Sequence, residues 1–405
     1  MSNYDSIVIG AGFAGAVVAR ELAERGDEQV LVMDTRDHIG GNCYDYRDEY
    51  GITIHQYGPH IFHTNIERVY KYLSRFTEWY DYSHEVVAAV GDSEIPVPFN
   101  LNTLELVFGD EAPVLEKVLI EKFGEGARVP ILELRQADDP RLKKIADYIY
   151  ENIFLKYTMK QWGQTPEEID PAVSGRVPIV LSRDNRYFQD TYQGMPRDGY
   201  TALFEKMLDH SGITVRLNRN AKDVLQFGIS DETAHYSEGQ SSGNNDSDER
   251  KSFIRYRGEP FNGKVIFTGA IDELFDLRFG RLPYRSLRFD FEHYDEKKYQ
   301  SHGVVNYTVS EDFTRITEFK YLSGDWDADG TTVVREYPFA YTGAEGEIPY
   351  YSISNSANNA LYEKYHALAE RVGLTLLGRL AEYKYYNIDA IVDRALTVAG
   401  ELIDR

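Results

Sequence analysis

Cysteine is nearly missing. Cys43 is the only one in 405 residues, so no disulfide can close within the chain, and a reducing, cytoplasmic setting is expected. Positive charge is also scarce: 44 Lys and Arg stand against 66 Asp and Glu, a formal net charge of −22. No nucleic-acid partner is expected, because a phosphate backbone needs a basic face. Any anionic ligand must be held by a local group of cations working against the global field. No apolar run is long enough to span a bilayer, so no membrane span is expected. The start, MSNYDSIVIG, lacks the basic and apolar stretches of a signal peptide, and none is expected. No Cys/His grouping has metal-ligand spacing, so no metal is expected either. What is present is an ordinary 42% of apolar residues and 31 tyrosines, and a length of 405 residues is enough for two or three packed domains.

The first stretch organises the rest. Ile7-Val8-Ile9 is a short apolar run that ends in Gly10-Ala11-Gly12-Phe13-Ala14-Gly15. A segment of helical composition follows, Ala16 to Arg25, and a second apolar run, Val30 to Met33, ends in Asp34. Strand, glycine turn, helix, strand and acid in this order predict a dinucleotide-binding βαβ unit. Gly10 permits the tight turn, and Gly12 lets the backbone approach a pyrophosphate at the helix N-terminus. Gly15 lets helix and strand pack closely, and Asp34 can accept hydrogen bonds from a ribose diol. No second fingerprint of this kind is present for a nicotinamide nucleotide. Shortly afterwards Arg36 and Gly40-Gly41-Asn42 form a basic, double-glycine segment similar to the one that covers the flavin diphosphate in many FAD enzymes.

Further along, Thr64 and Glu67 have capping-box spacing, which predicts a helix from Asn65 to Arg75. His60 and His63 then fall in the turn before it, facing a ligand or merely closing the turn. Residues 85–99 read as strand. Asp139-Pro140 reads as a cap with proline at the first helical position, and Leu142, Ile145, Ala146, Ile149 and Ile153 continue at helical spacing. Tyr157, Thr158 and Trp162 lie near the end of that helix, as core or as ligand platform. Thr165-Pro166-Glu167-Glu168 reads as the start of another short helix. Arg176, Arg183, Arg186 and Arg197 lie in a loop-rich stretch, either an anion site or a solvated surface. Residues 236–252 are almost wholly polar and predict a surface loop. Lys264 to Gly269 predicts a buried strand beside the first, residues 284–340 alternate as antiparallel strands, and Ile388 to Ile403 closes the chain as a helix.

The fold expected is α/β: a discontinuous Rossmann-like FAD-binding domain (1–84, 198–275 and 358–405) with two insertions. These are a helical substrate-binding domain (100–175) and an antiparallel β-sheet domain (85–99, 176–197 and 276–357) with a moving loop near 176–186.

Several strings resemble the bacterial UDP-galactopyranose mutase family over nearly the whole length. They are His38-Ile39-Gly40-Gly41-Asn42, Gly58-Pro59-His60-Ile61-Phe62-His63-Thr64-Asn65, Pro98-Phe99-Asn100, Tyr157-Thr158-Met159-Lys160-Gln161-Trp162-Gly163 and Asp184-Asn185-Arg186-Tyr187-Phe188. Phe279-Gly280, Tyr284-Arg285-Ser286-Leu287 and Gly378-Arg379-Leu380-Ala381-Glu382-Tyr383-Lys384-Tyr385-Tyr386-Asn387 complete the set. The resemblance implies an FAD enzyme, active when its flavin is reduced, that interconverts UDP-galactopyranose and UDP-galactofuranose. Flavin N5 would act as nucleophile at the anomeric carbon with UDP as leaving group. It implies a homodimer and a supply of galactofuranose for cell-surface glycans. It gives Gly10, Gly12, Ala14, Gly15, Asp34, Gly41, Asn42, His60, Ile61, Arg379, Asn387 and Ile388 to the cofactor. To the uridine it gives Tyr157, Thr158 and Trp162; to the diphosphate, Arg176, Arg315, Tyr187, Tyr351 and Tyr385. His84, Arg285, Asn306 and Glu336 fall to the substrate or its surroundings, and Arg176, Arg315 and His60 to catalysis. Phe313 and Val180 depart from the family pattern, which has a tyrosine and, in some members, an arginine there. The rival class is an FAD-dependent amine oxidase or desaturase, which shares the glycine motif but not the Tyr-Thr-x-Lys-Gln-Trp string.

Overall fold

The computed structural model describes residues 4–168, 178–228 and 253–404. The loop expected at 236–252 and Arg176 lie outside the described residues. Internal packing divides the chain into two units. One contains Met1–Gly41, Phe204–Leu282 and Ala357–Arg405; the other contains Asn42–Leu203 and Pro283–Ser356. Residues 42–84, placed with the dinucleotide domain from sequence, belong here with the sheet, and the helical and sheet segments form one unit. The cause is visible in the pairing: Phe62–Thr64 is antiparallel to Tyr192–Pro196, and so is tied to the second unit.

The first unit is built on five parallel strands in the order Ile213–Arg216, Val30–Met33, Ser6–Ile9, Lys264–Phe267, Leu374–Leu376. Parallel strands covered on both faces read as unbroken apolar runs, and Ile7, Val8, Val30, Val32, Val265 and Ile266 are wholly buried. Lys264–Phe267 lies beside the first strand, as its sequence predicts. Helices Phe13–Arg25 and Ile388–Ile403 pack along one another.

The second unit carries a seven-stranded sheet. Its order is Tyr351–Ser352, Tyr284–Tyr294, Thr331–Ala340, Arg315–Glu318, Val304–Tyr307, Val86–Val90, Ser93–Val97. It is antiparallel except where Val304–Tyr307 runs parallel to Val86–Val90. Helices with their own apolar core, including Leu104, Leu115, Leu119, Ile145 and Ile149, pack against its Val86–Val97 hairpin. Asp139 caps Pro140–Ile149 by accepting the Arg141 N–H at 2.8 Å, with proline at the first position as expected. That helix runs on without a break through a π-helical turn, Tyr150–Phe154, into Leu155–Trp162. Such a turn inserts one residue and rotates the face that follows it.

The helix expected from Asn65 is shorter, Glu67–Leu73. Thr64 is the last residue of a strand, and its hydroxyl accepts from the Ile66 N–H, so the capping box does not form. A buried carboxylate not singled out in the sequence does cap a helix. Asp45 accepts the Tyr200 and Thr201 N–H groups at 2.5 and 2.8 Å, at the start of Gly199–Leu208. Gly199 has φ +87°, and a Cβ there would meet the same carboxylate at 2.8 Å. Burial pushes the Asp45 pKa up, opposed by these N–H donors. Asp45→Ala would leave two helix N–H groups without an acceptor and is expected to cost about 1–3 kcal/mol. Urea unfolding checks this, with an unchanged midpoint as the contrary result.

Candidate active site

The first unit presents a dinucleotide cradle. Gly10 has φ +109°, and a Cβ there would fall 1.9 Å from Thr268 Oγ1. A Cβ on Gly15 would fall 1.9 Å from the Gly10 carbonyl oxygen, so helix and strand touch backbone to backbone. Gly41, with φ +56°, lies so close to Gly12 that its Cβ would sit 3.0 Å from Gly12 Cα. The double-glycine segment is therefore folded over the glycine turn, and Gly40 N–H donates to the Ala11 carbonyl at 2.9 Å. Asp34 accepts the Ala11 N–H at 2.8 Å and the Arg36 N–H at 3.0 Å. Gly378, φ +111°, packs near Ala14. Arg379 donates to the Tyr386 carbonyl at 2.6 Å and lies over the Tyr385 ring at 4.6 Å. Asn387 occupies the N-cap position of the helix that opens at Ile388, without a capping bond from its side chain.

The second unit gathers a different set. Arg315 Nε donates to Glu336 Oε1 at 2.6 Å, and the Glu336 side chain is wholly buried. Glu336 Oε2 has no hydrogen-bond partner. Burial opposes the Arg315 charge, but Glu336, aided by Tyr157 and Tyr351, more than offsets it and raises the pKa. Asn306 pairs with Arg315 across the sheet. Burial likewise raises the Tyr157 pKa, so the phenol keeps its proton. Its electrostatic neighbours are Arg315, Tyr187, Glu336 and Tyr351. Trp162 lies 5.3 Å from Tyr351, ring to ring, and Thr158 is buried on the same helix. One guanidinium thus stands among phenols with its Nε held by a carboxylate, a donor set suited to a diphosphate.

Two histidines support this set. His84 Nδ1 is 2.9 Å from the Tyr82 hydroxyl. Burial, with Arg315 and His63 nearby, pushes its pKa down to about 3, so it is neutral. Tyr187 N–H donates to the His84 carbonyl at 2.7 Å, and the two rings are 5.7 Å apart. His55 is buried with its pKa pushed down to about 4, and its Nδ1 accepts the His60 N–H at 3.1 Å. His60 Nδ1 is 2.9 Å from the Gly58 carbonyl oxygen. Gly58 has φ +83°, and a Cβ there would meet Phe289 at 3.0 Å and Glu336 Oε1 at 3.2 Å. The His60 turn is thereby seated against the carboxylate that holds Arg315.

Two family models match: one described as UDP-galactopyranose mutase over residues 152–385 and one as an NAD(P)-binding Rossmann-like domain over residues 8–76. The chain is 35% identical over 408 residues to a probable UDP-galactopyranose mutase of Klebsiella pneumoniae, covering 100% of this chain and 96% of that protein. The chain belongs to the UDP-galactopyranose mutase family. It is therefore a mutase, an isomerase, built on a Rossmann-type dinucleotide-binding unit. A dTDP-fucopyranose mutase of Escherichia coli is 33% identical over 400 residues, with 97% of each chain covered. A crystal structure of reduced UDP-galactopyranose mutase superposes with a TM-score of 0.69 at 15% identity, over 100% of this chain and 94% of that one, which shows the shared fold.

The residues singled out by the family resemblance are distributed as follows. Arg315, Glu336, Asn306, Tyr157, Tyr187, Tyr351 and His84 come together in the second unit, with Trp162 and Thr158 on the adjoining helix. Tyr385, Arg379, Asn387 and Ile388 belong to the first unit, and Asn42 and Ile61 to the second. Arg285, expected near the substrate, donates from Nε and Nη2 to the Gln161 and Lys160 carbonyls at 2.9 and 2.8 Å, at the end of the Trp162 helix. Three of the four loop arginines are paired with acids, Arg183 with Glu105 and Glu116, Arg186 with Asp184, and Arg197 with Glu78. His63 is paired with Asp190 at 2.8 Å and stacks on Phe188, so it closes its turn. His55, Tyr82 and Lys160 have site roles that the sequence reading did not assign. Of these, only Lys160 lies in a segment that resembles the family, Tyr157 to Gly163.

Among the described residues, no group of three side chains has metal-ligand geometry, and no helix is long and apolar enough to cross a membrane.

A histidine whose folded pKa is depressed contributes stability that is present above its unfolded pKa and is lost as pH falls. For His84, between 6.5 unfolded and about 3 folded, acidification from pH 7 to pH 5 is expected to cost about 2 kcal/mol. His84→Gln should reduce the loss by about that amount in paired urea titrations. An identical pH dependence in wild type and variant would contradict the neutral assignment.

Proposed function

We propose that the chain interconverts UDP-galactopyranose and UDP-galactofuranose, with FAD in the glycine cradle of the first unit. Gly10, Gly12, Ala14, Gly15, Asp34, Gly41, Asn42, His60, Ile61, Arg379, Asn387 and Ile388 are the residues read as holding the cofactor. The cradle suits a pyrophosphate, since side chains at Gly12 and Gly41 would crowd the space between the two glycine turns. Bound and reduced, the flavin would supply the nucleophile at the anomeric carbon.

The observation that carries the substrate reading is the Arg315–Glu336 pair beside the protonated Tyr157 phenol, in a chain of net charge −22. Arg315 grips the diphosphate through its Nη groups while Glu336 holds its Nε. Tyr157 keeps its proton and remains a donor. Tyr187 and Tyr351 donate to the same phosphates, and Arg176 adds a second cation. As the anomeric C–O bond breaks, negative charge gathers on the leaving UDP, and donors already fixed around it lower that barrier. Trp162, Thr158 and the Tyr157 ring bind the uridine. Ring opening and closure through O4 or O5 leave no net change in oxidation state, so reductant is needed only to set the flavin. A homodimer, a cytoplasmic location and the supply of galactofuranose to cell-surface glycans belong to the same reading.

The full-length likeness to a dTDP-fucopyranose mutase favours a second reading in which the nucleotide is dTDP and the sugar 6-deoxy. Calorimetry separates them. UDP is expected to bind at least tenfold tighter than dTDP, with Trp162→Ala and Arg315→Ala each weakening it about tenfold or more. A preference for dTDP would transfer the assignment to the second reading, and unaltered UDP affinity in both variants would remove the pocket.

A further inference from the structure

Lys160 stands in the middle of the Tyr157–Trp162 string, and no step of the reaction uses it. Its ammonium lies on the sheet. Nζ donates to the carbonyl oxygens of Tyr307 at 2.5 Å, Glu311 at 3.0 Å and Phe313 at 3.2 Å. These three carbonyls bracket the turn that joins Val304–Tyr307 to Arg315–Glu318. Asn306 is one residue before the turn's first carbonyl, and Arg315 is two residues after its last. The same turn is tied once more to the helix, where the Thr308 hydroxyl donates to the Asn152 carbonyl at 2.5 Å within the π-helical turn. The Phe313 and Tyr307 rings meet edge to face at 4.7 Å. Burial lowers the Lys160 pKa, opposed by Glu311 and Asp312, with Lys156 acting in the same direction as burial.

A lysine has three donor hydrogens and no acceptor. Three carbonyls from one turn use all of them. The bonds therefore fix the height and angle of the turn against the helix, and with it the separation of two groups of side chains. Tyr157, Thr158 and Trp162 ride on the helix; Arg315 and Asn306 ride on the hairpin.

We propose that Lys160 is a positioning residue that locks the base-binding helix to the phosphate-binding hairpin, so that a nucleoside diphosphate is gripped at both ends by one rigid frame. This rests on the UDP reading above. A ligand held at two ends gains over its separate fragments only when the two subsites keep the spacing the ligand needs. Loss of the lock should therefore harm the joined ligand and spare its parts.

The test measures UDP, uridine and pyrophosphate affinity in the full chain by competition, for wild type, Lys160→Met and Lys160→Arg. Lys160→Met is expected to weaken UDP at least tenfold while uridine and pyrophosphate stay within threefold. Lys160→Arg keeps a cation and donors and should hold UDP within threefold of wild type. Thr308→Val, which releases the other tether, should show the same split at about threefold and covers the case in which Lys160→Met does not fold. UDP affinity unchanged in Lys160→Met or Thr308→Val, or uridine alone weakened as much as UDP, would overturn the proposal. A wild-type chain that binds none of the three would overturn the UDP reading itself.

Discussion

The arrangement in the second unit depends on one ion pair, Arg315 with Glu336. A guanidinium three-quarters buried needs a counter-charge, and Glu336 meets that need at 2.6 Å from a side chain with no exposure. Because the contact runs through Nε, the pair fixes the direction of the guanidinium as well as its charge. Several other features follow from that contact. A Cβ on Gly58 would press against Phe289 at 3.0 Å and Glu336 at 3.2 Å, so the His60 turn lies against the pair. Near Arg315, a buried His84 stays neutral. Beside the same guanidinium, burial raises the Tyr157 pKa, so that phenol retains its proton.

The overall charge gives this pair its significance. In a chain of −22, cations left on the surface find acids, as Arg183, Arg186 and Arg197 do. To serve a ligand as proposed, Arg315 must be kept from such partners while retaining its charge. A buried carboxylate on a neighbouring strand does both, since it occupies one edge of the guanidinium and leaves the other edge its donors. Lys160 and Arg285 apply a related economy to the backbone. Each spends its charge on carbonyls and so joins helix to sheet without consuming an acid.

The Rossmann-type unit was legible because its signals are local. Gly15 answers to the Gly10 carbonyl within the same short motif, and the apolar runs of parallel strands are continuous in sequence. The final helix, Ile388–Ile403, falls where its composition puts it. Much of the second unit was less legible because its contacts are long-range. Asp45 reads as an ordinary strand residue until it caps a helix some 155 positions later. Thr64 and Glu67 have capping spacing, yet pairing of Phe62–Thr64 with Tyr192–Pro196 makes Thr64 part of a strand. The partners of Lys160 and Arg285 are backbone carbonyls, which leave no trace in side-chain identity. The four loop arginines looked alike in sequence; three of them are paired with acids at the surface, whereas Arg315 is held by a buried one.

The central claim is an isomerisation that needs a reduced flavin and consumes no reductant. The most direct measurement supplies UDP-galactofuranose to the purified chain with and without dithionite and follows UDP-galactopyranose by chromatography against total reducing equivalents. The account predicts conversion only after reduction, with many turnovers per equivalent. No conversion in either state with FAD bound, or one equivalent consumed per product, would contradict it and point to an oxidase or desaturase instead.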